Sequence, residues 1–205
     1  MSEAKRNNPV PNFYRASAED FRKIPGSPIA YWVSDKIKNL FNEKKFISNY
    51  AIGKEGLKTG NNDLYLRLWF EINSTNNRWI HIVKGGPFRK WYGNKEYVVD
   101  WDKNGDTLSN VENSSIPNPK YLFKNFLTWS NLSSSSFSMR YVSEDCLFET
   151  KSPGLFPKKN SDFFTILAYY NSKLANYILQ LLAPTLDYKI GPVLSVPFIE
   201  INDNQ

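Results

Sequence analysis

The stretch Lys84-Gly85-Gly86-Pro87-Phe88-Arg89-Lys90-Trp91-Tyr92-Gly93-Asn94 brings three cations, three aromatics and three glycines together, directly after the apolar run Trp79–Val83. Glycine turns the backbone through φ > 0 and lets a ligand or a second chain approach closely. Arginine and lysine beside exposed rings suit phosphates and stacked bases. The same composition also describes a glycine-rich hairpin with a solvated basic tip. A second loop, Gly53–Asn62, offers backbone amides and small side chains to a ligand. It is not a Walker loop, because its lysines do not stand in the required frame after the last glycine. The serine run Ser133–Ser136, flanked by Trp129, Phe137 and Arg140, is a third element. It reads either as a floppy loop or as a small-residue surface that fits a groove.

Catalytic constellations do not assemble. There is no Gly-x-Ser-x-Gly elbow and no histidine pair for a metal. Glu149-Thr150-Lys151 matches the Glu-x-Lys half of a metal-dependent nuclease site. That site needs a further acid on a neighbouring strand, for which Asp100, Asp102 and Asp106 are the candidates. The single histidine, His81, sits in an apolar run and reads as structural. The single cysteine, Cys146, excludes an intramolecular disulfide and a cysteine-rich zinc site.

Composition narrows the class. With 205 residues, 41% hydrophobic and 16% aromatic, the chain is long and apolar enough for one substantial core. The net charge of +6 suggests an anionic partner. Residues 1–60 hold eleven Lys and Arg against six Asp and Glu, whereas residues 161–205 hold two against four, so the basic surface is front-loaded. No apolar run approaches the ~20 residues of a membrane span. The polar start carries no signal-peptide pattern, so a cytoplasmic location without a membrane partner is expected.

The elements that must position these residues follow from periodicity. Residues 1–20 read as a flexible arm or linker, and residues 202–205 as a tail. Ser27 and Pro28 open an expected helix continuing through Ile29, Trp32, Val33, Ile37 and Phe41. Strands are expected at Phe46–Ile52, Leu64–Ile72, Arg78–Val83 and Glu96–Trp101, the last closed by an Asn-Gly turn at Asp102–Asp106. Tyr121–Leu127 reads as a short helix, and Phe137–Val142 with Cys146–Glu149 as a hairpin. Ser161–Ala183 is the clearest helical segment and a core element, divisible at Asn171-Ser172 with Ser172 capping the second half. Gly191–Ile201 reads as a closing strand. Short mixed strands with flanking helices make an α+β domain.

The order of motifs resembles a known family. Ile24–Ser34 (IPGSPIAYWVS), Gly56–Leu68 (GLKTGNNDLYLRL), Lys84–Trp101 (KGGPFRKWYGNKEYVVDW), Thr128–Ser130, Ser138–Phe148, Leu167–Tyr177 (LAYYNSKLANY) and Gly191–Phe198 (GPVLSVPF) occur in that order. Together they resemble the C-terminal target-recognition region of the PglX family, the adenine methyltransferases of BREX phage-defence systems. They are also similar to the related region of type II G restriction–modification enzymes, whose recognition domains look like the Taq-type specificity domain. The resemblance covers residues 21–200 and implies a DNA target-recognition domain over residues 21–201, with double-stranded DNA as partner. It further implies a methyltransferase domain or subunit and other phage-defence components as associates. Those enzymes carry an upstream Rossmann-like domain with a glycine-rich cofactor motif and an Asn-Pro-Pro-Tyr tetrad. Neither occurs here, since Asn118-Pro119 lacks the second proline and the tyrosine. No cofactor is therefore expected in this chain, and S-adenosylmethionine is implied for a missing or separate catalytic domain. The chain itself is expected not to be an enzyme, and reads as a truncated product, a split subunit or an excised piece.

Under that resemblance, Lys84, Arg89, Lys90 and Lys95 are the candidate phosphate contacts, with Lys58, Thr59 and Asn61 as a second clamp. The segment Ser130–Arg140 is the candidate base reader. Within it, Ser133, Ser134 and Ser135 would offer hydroxyls to base edges, and Arg140 would bond a guanine bidentately. Trp91 and Tyr92 are assigned packing or backbone positioning, because a residue shared by enzymes of different specificity does not read sequence. Two other classes stay open: a nuclease built on Glu149 and Lys151, and an interaction module that docks a partner through its aromatic surface.

Overall fold

A computed structural model of the chain describes residue 19 and residues 22–73, 78–133, 136–185 and 187–198. The expected arm apart from Glu19, the expected tail, Ser134 and Ser135 lie outside the described residues. The chain divides into two compact units, residues 1–45 with 197–205, and residues 46–196.

In the first unit the helix begins later than expected. Ser27 stands at φ 48°, outside helical space, and helix α1 (Asp35–Asn42) starts after Ser34 in extended conformation. Gly26 and Ser27 both adopt positive φ, which makes the Ile24–Ser27 segment a turn closed by the Ser27 N–H on the Ile24 carbonyl. Beyond it Ala30 N–H donates to the Pro28 carbonyl at 2.8 Å and Val33 N–H to the Ala30 carbonyl at 3.2 Å, so turns take the place of the first helical residues. Phe198 N–H donates to the Lys45 carbonyl at 2.8 Å.

The second unit runs α2 (Ile47–Tyr50), β1 (Ala51–Lys54), β2 (Lys58–Thr59), α3 (Asn62–Tyr65), β3 (Leu66–Leu68), β4 (Trp79–Val83), β5 (Tyr97–Asp100), α4 (Asp106–Ser109), β6 (Ser114–Ser115), β7 (Phe126–Thr128), β8 (Arg140–Val142), β9 (Cys146–Phe148), β10 (Gly154–Pro157), α5 (Asp162–Tyr170), α6 (Lys173–Leu182) and α7 (Ile190–Leu194). Two four-stranded sheets result. One is antiparallel throughout, in the order β1-β10-β7-β8. The other, β3-β5-β4-β9, is mixed, because β4 and β9 pair in parallel. The pair β2-β6 stands apart from both. The architecture is thus α+β with short mixed strands and flanking helices. Among the described residues no helix is long and apolar enough to cross a membrane.

Several expectations are corrected. Phe46–Ile52 opens as a helical turn, with the Phe46 N–H held by the Asn49 side chain, and only then extends into β1. Leu64–Ile72 is extended only over Leu66–Leu68, since the Asn61 side chain caps α3 on one side and a 3-10 turn at Trp69–Glu71 follows on the other. Tyr121–Leu127 contains no helix: a 3-10 turn ends at Tyr121 and Phe126 enters β7. The expected hairpin of Phe137–Val142 with Cys146–Glu149 does not pair with itself. Its two strands turn away into different sheets, β8 onto β7 and β9 onto β4. Gly191 and Pro192 lie inside α7, with Pro192 in its first turn, where a missing N–H costs nothing. Ser161–Ala183 does divide as expected, and the Ser172 hydroxyl accepts from Ala175 N–H at the head of α6.

Both sheets are anchored by buried apolar residues. Leu57, Leu66, Ile82, Val99, Leu108 and Leu147 form one cluster on the mixed sheet. Val83, Phe126, Val142, Cys146, Phe148 and Phe156 form another, in which the Phe126 and Phe148 rings lie 5.0 Å apart. Gly56 is required by this packing, because a Cβ there would stand 2.2 Å from the Phe148 carbonyl oxygen. That close approach lets Leu57 bridge Glu149 in parallel and ties the glycine loop to the end of β9.

Candidate nucleic-acid interface

The loop from Lys84 to Lys95 leaves β4 and returns as β5, and its path is set by positive φ at Gly85, Gly86, Trp91, Gly93 and Asn94. A Cβ on Gly86 would stand 2.9 Å from Asn94 Nδ2, the amide that donates to the Pro87 carbonyl and closes the loop on itself. The loop is fastened to the rest of the unit through its backbone. Gly85 N–H donates to Ser152 Oγ at 2.7 Å, and Ser130 Oγ donates to the Gly86 carbonyl at 3.0 Å. Trp91 pairs with Arg140 as an isolated parallel bridge, its N–H on the Met139 carbonyl and its carbonyl receiving Tyr141 N–H. Trp91 thus uses its backbone for positioning, while its ring and those of Phe88 and Tyr92 remain exposed.

Each cation of the loop already has a protein contact. Lys84 Nζ lies 5.2 Å above the Tyr97 ring. Arg89 pairs with Glu96 at 3.3 Å, with about half of each side chain exposed. Lys90 Nζ donates to the Asn171 carbonyl at 2.7 Å. Lys95 pairs with Asp145 at 3.5 Å and lies 5.8 Å from the Tyr92 ring. Lys84, Arg89, Lys90 and Lys95 therefore share one loop, and the Lys90 ammonium is engaged by the Asn171 carbonyl.

The second clamp does not open outward as a unit. Thr59 is 3% exposed and donates its hydroxyl to Asn62 Oδ1 at 2.7 Å. Asn61 accepts Leu64 N–H as the N-cap of α3. Lys58 alone of the three presents an exposed side chain without a structural task among the described residues.

The reader segment is placed quite differently from the expectation. Phe137, Ser138, Met139 and Arg140 are buried, and only Leu132 and Ser136 of its described residues are exposed. Ser133 donates weakly to the Ser136 carbonyl at 3.5 Å. Arg140 is 0% exposed and reaches the Arg89 carbonyl at 3.4 Å and Ser130 Oγ at 3.3 Å, both long, while its Nε has no partner. Burial pushes its pKa down to about 10, with the Glu96 carboxylate opposing the fall and the Arg89 charge adding to it. The enclosed guanidinium ties the Arg89 carbonyl of the Lys84–Lys95 loop to β8.

The nuclease candidates do not converge. Glu149 turns its carboxylate back onto Lys151 N–H at 2.8 Å, and Asp100 is held by a two-pronged bond from Arg78 at 2.7 and 2.6 Å. Among the described residues no three His, Cys, Asp or Glu side chains gather at a possible metal position.

Two structural residues escaped the sequence reading of the site. Asn171 accepts from Met139 N–H and donates to the Met139 carbonyl, so the break between α5 and α6 also fixes the strand that carries Arg140. Ser152 receives Gly85 and donates to the Trp129 carbonyl. The helix break at Asn171-Ser172 was visible, but nothing in the spacing tied it to residue 139.

No protein-family model matches the chain. Among curated proteins, it is 37% identical over 220 residues to the adenine-specific methyltransferase PglX of Lacticaseibacillus casei (strain Zhang), with 97% of this chain and 18% of that protein covered. It is 35% identical over 214 residues to the adenine-specific methyltransferase BrxX of Escherichia coli O9:H4 (strain HS), with 98% of this chain and again 18% of the relative covered. The chain thus spans about a fifth of the length of the relatives it matches. It is homologous, along nearly its whole length, to one segment of the PglX and BrxX adenine-specific methyltransferases.

Proposed function

We propose that this chain is a DNA target-recognition domain of an adenine-specific methyltransferase, with residues 21–201 as the recognition part. The observation that carries this reading is the pairing of near-complete coverage of the chain with coverage of only 18% of each methyltransferase relative. A segment of that size can hold the duplex while another domain extrudes and modifies the base. S-adenosylmethionine binding and the methyl transfer belong, on this reading, to a catalytic domain outside these residues. The Taq-type specificity fold, phage-defence partners and a cytoplasmic location follow from the same reading.

Within this role the residues take different tasks. Lys58, Lys84, Arg89 and Lys95 contact phosphates, and the exposed rings of Phe88, Trp91 and Tyr92 rest against the sugar–phosphate surface. Thr59, Asn61, Lys90 and Arg140 fix the loops that carry them. The serine run, with Ser133, Ser134 and Ser135, remains the proposed reader of base edges.

Fluorescence anisotropy with mixed-sequence duplexes at 50 and 200 mM salt tests the reading. Contact from one side only predicts a dissociation constant of about 10⁻⁴–10⁻⁶ M near physiological salt and a clear loss of affinity as salt rises. Tight binding that ignores salt, or no binding at 50 mM salt, would contradict it.

A further inference from the structure

Among the described residues a second group of cations gathers outside the loop between Lys84 and Lys95. Three lysines converge on the ring of Tyr121: Lys54 Nζ at 5.3 Å from its centroid, Lys120 Nζ at 5.6 Å and Lys124 Nζ at 5.7 Å. They come from separate places, Lys54 from the end of β1, Lys120 from the 3-10 turn Pro119–Tyr121, and Lys124 from just beyond Phe123, whose positive φ of 54° turns the chain back toward the ring. Tyr121 is itself held against Phe156 of β10 at 4.8 Å, so the focus of the cluster is fixed to the antiparallel sheet.

Like charges brought together on one ring repel, and each gains only a modest cation–π attraction in return. Among the described residues, none of these three lysines takes part in an ion pair, in contrast to Arg89 and Lys95. Beside them runs an open groove of about 350 Å³, lined in part by Tyr121, Phe123, Lys124, Asn125 and Lys158. Its one carboxylate is Glu144, which the Asn125 side chain holds by its backbone N–H. Lys158 is fixed there by the Ser48 and Asn49 carbonyls, at 3.3 and 2.8 Å. Exposed Phe123 adds an apolar wall. Clustered ammonium groups without counter-ions, beside a groove with aromatic and amide walls, match the alternating charged and apolar edge of a sugar–phosphate strand.

We infer that Lys54, Lys120 and Lys124 around Tyr121 form a second phosphodiester-binding site that takes the backbone of the DNA duplex. This rests on the DNA-recognition reading above and adds to it a contact surface outside the glycine-rich loops. A cluster that neutralises three phosphates contributes about 2.7 to the slope of log affinity against log salt.

The test compares the wild-type chain with Lys54→Gln/Lys120→Gln/Lys124→Gln on one mixed-sequence duplex from 50 to 200 mM salt. In parallel, the wild-type lysines are acetylated with and without duplex and read by mass spectrometry. The inference expects the slope to fall by about 2.7 and the duplex to protect Lys54, Lys120 and Lys124 from acetylation. If the wild type binds with a steep slope but the variant keeps it and the three lysines stay reactive, the cluster is not a DNA contact and the recognition reading survives. If the wild type shows neither salt-dependent binding nor protection of any lysine, both fall. Should the triple variant fail to fold, the acetylation pattern of the wild type decides alone.

Discussion

Lys90 Nζ donates to the backbone carbonyl of Asn171 at 2.7 Å, and Asn171 is the C-terminal cap of α5. The contact places a cation at the negative end of a nine-residue helix. It also joins the basic loop to the residue whose side chain grips Met139 from both sides. A lysine in this position is part of the scaffold first.

Lys90→Met should therefore lower stability by about 0.3–1 kcal/mol, the usual worth of a cation at a helix C-terminus. Urea unfolding should show a lower midpoint at unchanged slope, and duplex affinity should change little. A variant of full stability with clearly weaker DNA binding would return Lys90 to the phosphate contacts.

Asn171→Ala removes the partner of both Met139 backbone groups in a buried setting, since Asn171 is 5% exposed. The expected loss is about 1–3 kcal/mol by urea unfolding. Amide hydrogen exchange at Trp91 and Tyr141 should also accelerate, because the bridge they form depends on the strand that Asn171 holds.

Arg89→Ala removes an exposed cation that a phosphate could share with Glu96. Duplex binding should weaken similarly on all sequences, and the salt slope should shrink by about one. Arg140→Met, by contrast, should leave the salt slope alone, since the buried guanidinium faces no solvent. A change of preferred sequence in the Arg140 variant would show that the loop opens to expose it.

These assignments show what the sequence could and could not reveal. Strands β4 and β5 were legible because their apolar runs are continuous and bounded by turn residues, and the division at Asn171-Ser172 because serine is a strong cap. The residues 137–149 were legible as strands but not as members of two sheets, since their partners β7 and β4 are set by tertiary packing. Pattern alone favoured a helix from Pro28, but Ala30 N–H donates to the Pro28 carbonyl and Val33 N–H to the Ala30 carbonyl, so short turns stand there instead. At the site, residue type revealed the basic loops, whereas the burial of Arg140 and Thr59 depends on chain segments far away in sequence. The lysines around Tyr121 were hidden for the same reason, because Lys54 meets the other two only in the fold.

Stability should also fall in acid through Asp100. The two-pronged bond from Arg78 holds its carboxyl below the ordinary value of 3.8, with burial opposing. A depressed folded value means that this contribution is fully present above the unfolded carboxylate range and is lost as pH falls through the folded one. Asp100→Asn should thus be less stable than the wild type at neutral pH, and the gap should narrow on acidification below about pH 4. A gap that stays constant down to pH 2 would contradict the pairing.

The chain's central claim is target recognition, and the methylated motif reports it most directly. The aligned segment of the Lacticaseibacillus casei PglX relative can be replaced by this chain, and the adenine methylation in a host lacking other methyltransferases mapped by sequencing. The account predicts methylation at a new motif carried by the transplanted segment, and a further shift when Ser133–Ser136 is altered. Methylation that continues at the original motif of the recipient enzyme would contradict it.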